Sequence, residues 1–278
     1  MLFPFHDDHP TVRFPVVTVA LIAINAVVFL ATLGLPEEKR EALYVEYGFV
    51  PDRVRQLTDP NLSITVPLEP EVSERRLIVG DKVFVQRVQQ PRTYEIPPGP
   101  GRAALATITC MFLHGGFMHL IGNMWFLWLF GNNVEDRLGP GLYLVFYSVG
   151  GLLALVCHWW VLTPAEMLRP VIGASGAVSA VLGGYAVMYP RARVRSLLFL
   201  FYFVTIVELP ALVVLGIWFL GQLFDGLSQR ALGVGGGVAF WAHIGGFAAG
   251  ALLMPIFAKL VPPPAPPYPP RVVKTEPW

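Results

Sequence analysis

The chain has few charged residues and almost no cysteine. Charged side chains make up 14% of its 278 residues, against roughly 25% in soluble domains, while apolar residues reach 54%. The net charge of +1 gives no reason to expect nucleic acid as a partner. Its two cysteines, Cys110 and Cys157, cannot build a disulfide framework and lack the spacing of a thiolate metal site. We therefore expect a membrane protein with buried thiols and with no metal or other cofactor.

Six apolar segments predict membrane-spanning helices. The first, 16–35, is twenty residues without a charge, enough to cross a hydrocarbon core about 30 Å thick, and it lacks a signal-peptide cleavage site. The other five segments are 117–134, 142–162, 175–188, 209–224 and 238–258. The apolar run 196–207 is too short for a seventh span, and we interpret it as re-entrant, interfacial or the start of the fifth helix. The fold class predicted is an all-α polytopic membrane protein with a bundle of six transmembrane helices.

The basic residues of the short loops predict the orientation of this bundle. Arg191, Arg193 and Arg195 lie between spans four and five, Arg137 follows span two, and Lys259 follows span six. Because basic residues mark cytoplasmic loops, we expect both termini in the cytoplasm. We expect the membrane to be a bacterial inner membrane. The predicted domains are an N-terminal cytoplasmic tail 1–15, a membrane domain 16–260 and a proline-rich tail 261–278.

The long external loop 36–113 has an organisation of its own. The strand-like segments 77–79 and 82–85 flank Gly80-Asp81, a dipeptide that favours a tight hairpin turn. Residues 63–66 are a candidate third strand. Two interpretations of 52–98 remain open, a small soluble β insertion or an ordered loop on the membrane surface.

The strongest chemical signal is a serine between glycines. Gly173 and Gly176 frame Ser175 at the start of span four, where Pro170 and Gly173 interrupt the preceding chain. Ser175 is thus predicted at a helix N-terminus, where unpaired N–H groups can stabilise an oxyanion. His243 lies just inside span six. Polar side chains at membrane depth are functional candidates, and a serine with a histidine suggests a nucleophile and its base.

Small residues offer a way to bring this serine and histidine together. Ser175, Ser179 and Gly183 follow each other at four-residue intervals, and Gly246 and Gly250 repeat that interval after His243. Such faces allow membrane helices to approach closely. No third member of a catalytic triad is apparent.

A third polar cluster opens span two. His119 and Asn123 are four residues apart and share one helix face, at the predicted depth of Ser175. Imidazole and amide groups suit the stabilisation of an oxyanion. The alternative is a polar contact between helices, and the nearby His114 has a structural interpretation.

Together these motifs resemble the rhomboid family of intramembrane serine proteases. The resemblance rests on His119 and Asn123, on 173–176, on 242–246 and on the segment 131–139 after span two, and it covers about 10–35 and 104–258. It implies a six-helix fold whose cavity opens to the outer face, and substrates that are transmembrane segments of other proteins. It also implies Ser175 as nucleophile, His243 as base, and His119 and Asn123 as oxyanion donors.

This sequence departs from the family in one position near the site. Some members carry a tyrosine one turn after the nucleophile, stacked on the histidine, where this chain has Ser179. Two other classes remain alternatives: a transporter or channel that uses His114, His119 and His243, and a catalytically silent protein that binds membrane clients. Besides such clients and the lipid bilayer, the sequence indicates no partner, and it does not indicate an oligomeric state.

Overall fold

A computed structural model describes residues 2–79, 82–164, 166–200, 202–232 and 238–262. The described helices are α1 Val16–Leu33, α2 Glu37–Tyr47, α3 Pro100–Thr109, α4 Phe117–Leu138, α5 Pro140–Val161, α6 Ser175–Met188, α7 Ala211–Leu232 and α8 Phe240–Lys259. The described strands are β1 Leu2–Asp7, β2 Ile64–Val79, β3 Lys82–Ile96, β4 Arg193–Leu200 and β5 Phe203–Pro210. Short 3₁₀ helices cover Pro51–Leu57 and Cys110–Phe112.

The apolar helices make this chain an integral membrane protein. Among the described residues, α1, α5, α7 and α8 are each long and apolar enough to cross a bilayer alone. The segment Pro100–Phe112 joins α4 as a fifth candidate, with a bend of 82° between them, and α6 is a shorter apolar helix. Each of the six predicted spans corresponds to one of these helices, but the count of six crossings stays a prediction.

Helix α6 lies at the centre of the bundle. All ten residues from Ala177 to Ala186 are buried, against α4, α5 and α8. Small side chains make this possible, because they let neighbouring backbones approach. We call the two ends of the bundle after the termini of α6, the Ser175 end and the Met188 end.

At the Met188 end, two carboxylates of α4 accept hydrogen bonds from the backbone of the N-terminal segment. Glu135 accepts hydrogen bonds from the N–H groups of Val17 and Thr18, at 2.8 and 2.7 Å, and thereby caps α1. Asp136 accepts from the N–H groups of Val12 and Arg13, at 3.1 and 2.9 Å. The acidic pair after span two is therefore structural.

The region after α1 contains a long two-stranded ribbon. β2 and β3 pair antiparallel from Ile64–Ile96 to Val79–Lys82. Residues 63–66 were expected as a separate third strand, and this expectation is wrong, because 64–66 simply begin β2. The predicted turn at Gly80-Asp81 lies outside the described residues. A small apolar core that includes Val45, Val50 and Ile96 supports the base of the ribbon.

The N-terminal segment and the run 196–207 form a second sheet. Its strand order is β1-β4-β5, with both pairs antiparallel. Part of the predicted tail 1–15 is therefore a strand, β1. The run 196–207 does not begin the fifth helix, because its described residues belong mainly to β4 and β5. Aromatic and β-branched residues favour the extended conformation here, and β1 supplies a pairing edge that lies far away in sequence. Most of the predicted tail 261–278 lies outside the described residues.

Candidate active site

Ser175 is the first residue of α6, and the loop before it requires glycine. Gly173 has φ +122°, a left-handed conformation that favours glycine. A Cβ at this position would stand 2.6 Å from Nε2 of His119, and the Oγ of Ser175 lies 3.7 Å from the same point. The His119 imidazole and the serine hydroxyl therefore both border Gly173.

The small faces of α6 and α8 meet, as their spacing predicted. A Cβ on Gly246 would overlap the carbonyl oxygen of Gly176 and stand 3.2 Å from Cβ of Ser179. A Cβ on Gly250 would lie 2.7 Å from Cα of Ala180. The helices are thus in backbone contact along this face.

The same packing brings the two predicted dyad positions into neighbouring turns. A Cβ on Gly176, next to Ser175, would lie 4.0 Å from Cβ of Ala242, next to His243. Ser179 is buried and donates its hydroxyl to the carbonyl of Ser175 at 2.6 Å, so it is occupied within its own helix. It does not take the place of a tyrosine beside the imidazole.

A side chain from α7 contacts the histidine instead. The Oε1 atom of Gln222 lies 2.5 Å from Nδ1 of His243. The rings of Trp218 and Phe240 flank the imidazole, each with its centroid 6.3 Å away. Sequence reasoning missed Gln222, although it carries the one polar side chain in the predicted span 209–224. That isolated amide in an apolar helix was the available signal.

His119 and Asn123 share a face of α4, as predicted. Asn123 is buried and donates one amide hydrogen to the carbonyl of His119 at 2.9 Å. An amide nitrogen carries two hydrogens, so a second donor is left for a ligand. The His119 side chain is exposed at the Ser175 end.

His114 packs against His119 in the interior of the bundle. It is fully buried, its ring meets that of His119 edge-on at 5.1 Å, and its carbonyl accepts the Tyr44 hydroxyl at 2.9 Å. Within the described part of the chain, neither of its ring nitrogens has a hydrogen-bond partner. Over those same residues, no three His, Cys, Asp or Glu side chains are grouped as a metal site would require.

Comparison with known proteins identifies the family of this fold. The model of the Rhomboid domain matches residues 102–260, more than half of the chain. This chain belongs to the rhomboid family. The match includes His119, Asn123, Ser175 and His243.

Curated relatives agree with this assignment. The presenilin-associated rhomboid-like protein A, mitochondrial, of Danio rerio is 29% identical over 36% of this chain and 26% of its own length. RHOMBOID-like protein 4 of Arabidopsis thaliana is 34% identical over 52% of this chain and 32% of its own length. The putative rhomboid protease YdcA of Bacillus subtilis is 33% identical over 29% of this chain and 39% of its own length. The aligned segments thus span less than half of each relative.

In this rhomboid protein the segment after α1 holds the loop that leads to the serine. Phe49 and Val171 exchange backbone hydrogen bonds of 3.0 and 2.8 Å, and the N–H of Asp52 donates to Met167 at 3.0 Å. The N–H of Gly173 donates to the carbonyl of Cys110 at 2.9 Å. The described parts of the loop before α6, 162–164 and 166–173, are therefore anchored from two directions, and this anchoring positions Ser175.

Two cavities differ in size and place. Ser175 borders a cavity of about 20 Å³, together with Met111, Ile172 and Ala242. This volume suits about one water molecule. A larger cavity of about 500 Å³ lies between the β1 segment and α4, lined by residues that include Asp8 and Trp128. Its lining residues belong to the N-terminal segment and to the half of α4 toward the Met188 end, so the cavity does not include Ser175.

Proposed function

We propose that this protein is an intramembrane serine endopeptidase that cleaves transmembrane segments near the Ser175 end of the bundle. The observation that carries the proposal is the contact between Gly176 and Ala242, which places the first turn of α6 beside the first turn of α8. A serine at one of these turns and a histidine at the other are suited to act as nucleophile and general base.

In the proposed reaction, neutral His243 accepts the proton of the Ser175 hydroxyl at Nε2 while Oγ attacks the peptide carbonyl carbon. The resulting imidazolium gives that proton to the leaving amine as the C–N bond breaks, and an acyl ester remains on Ser175. A water molecule then attacks the ester with His243 again as base, which releases the carboxylate and restores the hydroxyl.

The oxyanion of each tetrahedral intermediate needs donors at the Ser175 end. The imidazole of His119, the second amide hydrogen of Asn123 and the backbone N–H of Ser175 are the donors we assign. His119 borders the same glycine as the serine hydroxyl, which supports its assignment. Donors that are already held in place stabilise the developing charge without reorganisation.

We assign to Gln222 the role of orienting the base. With its Oε1 atom 2.5 Å from Nδ1 of His243, the amide carbonyl accepts a hydrogen bond from the Nδ1–H tautomer. That tautomer leaves Nε2 with a lone pair for the serine proton. We thus assign to Gln222 the orienting role that a stacked tyrosine would have in some family members.

The substrates and the membrane follow from the same proposal. A peptide bond inside a helix must be unwound before attack, so we expect substrates with glycine, proline or small residues near the end of a transmembrane segment. From the arginines near the Met188 end we infer that this end and both termini are cytoplasmic. We propose a bacterial inner membrane, although relatives from animals are named mitochondrial.

The decisive test compares two serine variants in detergent and in vesicles. Ser175→Ala should abolish cleavage of a model transmembrane substrate and labelling by a fluorophosphonate probe. Ser228→Ala removes a hydroxyl from α7 and should leave both intact. Cleavage that persists in Ser175→Ala refutes the assignment. Tight substrate binding without any cleavage in the wild-type protein would identify a silent client binder instead.

A further inference from the structure

The sheet formed by β1, β4 and β5 is unusual in its distribution of polarity. Near the root of the β4–β5 hairpin, Arg193 and Arg195 are exposed and Arg195 stands opposite Glu208. Toward the tip, none of the described residues 196–200 and 202–207 is charged. The cross-strand pairs there are Leu197–Ile206, Leu198–Thr205, Phe199–Val204 and Leu200–Phe203.

These four pairs occupy both faces of the hairpin, because successive residues of a strand point to opposite sides. One face continues from buried Val194 and Ser196, and the other continues from the charged root. The side chains near the tip are largely exposed, with 77% for Phe203, 62% for Ile206 and 98% for Tyr202. A hairpin that is apolar on both faces has no side suited to water.

The position of β1 shows where this sheet stands in relation to the bundle. At one end of β1, the Asn133 amide donates to Asp7 at 2.6 Å, and near the other the Trp125 indole donates to the carbonyl of Pro4 at 2.8 Å. The ring of Phe3 also lies 5.3 Å from that of Trp125. Asn133 and Trp125 are eight residues apart on α4, which is about 12 Å along the helix.

The strand therefore runs beside α4, from its polar end toward its middle. β4 pairs with β1 as far as Leu2–Leu198, so the hairpin extends alongside the apolar helix and not away from it. On α4 itself, Trp128 is an exposed apolar side chain.

We propose that the described distal part of this hairpin, residues 197–200 and 202–206, is embedded in the lipid leaflet at the Met188 end and anchors the sheet there. Acyl chains solvate both apolar faces at once. Water and headgroups reach the outer edge of β5 at the charged root of the hairpin, beside Glu208 and near the polar end of α4.

A second copy of the chain is the other candidate for the β5 edge. Antiparallel pairing of two β5 strands would satisfy the backbone of that edge, but it would leave both faces of each hairpin uncovered. Lipid covers the faces, so the exposure of Phe203 on one face and Ile206 on the other favours lipid over a second copy.

The test attaches nitroxide labels to single cysteines in a background with Cys110→Ala and Cys157→Ala, in vesicles of phosphatidylcholine and phosphatidylethanolamine. Labels at Y202C and I206C are compared with I217C, an exposed position of apolar α7, and with V72C, an exposed position of β2. A thermal unfolding midpoint equal to that of the cysteine-free background checks that each variant is folded.

We expect the hairpin labels to collide with oxygen more often than with a water-soluble nickel chelate, as at I217C and opposite to V72C. Nickel accessibility equal to that of V72C would overturn the proposal. Spin–spin broadening between copies, with low accessibility to both reagents, would also overturn it in favour of pairing. The readout is spectroscopic, so it does not depend on proteolysis.

Discussion

The contact between α6 and α8 can be tested by adding one methyl group to it. In Gly246→Ala, the new Cβ would stand 3.1 Å from the carbonyl carbon of Gly176 and 3.2 Å from Cβ of Ser179, and nearer still to the Gly176 oxygen. Carbon atoms prefer about 3.5–4.0 Å, and the overlap with the Gly176 oxygen is greater still, so the two helices must separate by about 1 Å. Gly176 follows the proposed nucleophile Ser175 directly, so this separation is applied beside the proposed dyad.

A misplacement of about 1 Å can lower a rate about 10²-fold, and we expect Gly246→Ala to lose roughly 10- to 100-fold in kcat. Overpacking of this kind typically destabilises a protein by about 1–3 kcal/mol. The assay pairs the cleavage rate of a model transmembrane substrate with the thermal unfolding midpoint in detergent.

Two matched variants separate site geometry from stability. In Gly250→Ala the Cβ would meet Cα of Ala180 at 2.7 Å, so the unfolding midpoint should fall at least as far as in Gly246→Ala. The cleavage rate should fall less than in Gly246→Ala, because this contact lies one turn further from the proposed dyad. Gly216→Ala on α7 adds its Cβ to open space and should change neither quantity. Wild-type activity and stability in Gly246→Ala would show that the two faces do not meet, and the placement of His243 beside Ser175 would fail with them.

Three further predictions concern single residues of the site. Gly173→Ala should nearly abolish activity, because a Cβ at this residue, whose φ is +122°, would stand 2.6 Å from the Nε2 atom of His119. Loss of labelling by the fluorophosphonate probe measures this loss of activity. His119→Ala and Asn123→Ala should each lower kcat by roughly 10²–10³-fold with little change in KM, as expected for oxyanion donors; a lower unfolding midpoint with full turnover would indicate a helix contact instead. Gln222→Leu should lower kcat more than KM, while Gln222→Glu keeps an acceptor for Nδ1–H and should restore most of the rate; equal activity of Gln222→Leu and wild type in cleavage assays would remove Gln222 from the mechanism.

The local features of this protein could be predicted from its sequence. Charge-free segments of membrane length mark helices wherever they occur, and the observed start of α6 at Ser175 follows from the glycine and proline before it. The repeated small residues at 175, 179 and 183 and at 246 and 250 identified two faces that do pack together. These features depend on residues close in sequence, where periodicity and backbone preference decide the outcome.

The features that the sequence did not reveal are pairings between distant segments. The apolar run 196–207 became two strands because β1 offers a hydrogen-bonding edge nearly two hundred residues earlier, and no local propensity contains that information. The separate strand expected at 63–66 merged into β2 because the register with β3 continues through it.

Gln222 shows the same division within the site. The sequence by itself predicted that a serine, a histidine and two further side chains, an imidazole and an amide, would lie near one end of the bundle, since each stands near the end of an apolar span. Only the tertiary structure decided which residue approaches Nδ1 of His243, because that depends on the rotation of α7 about its axis. The rotation of a helix about its axis is set by packing against its neighbours. Because a membrane helix is apolar on all faces, its sequence gives little indication of which face is turned toward the bundle.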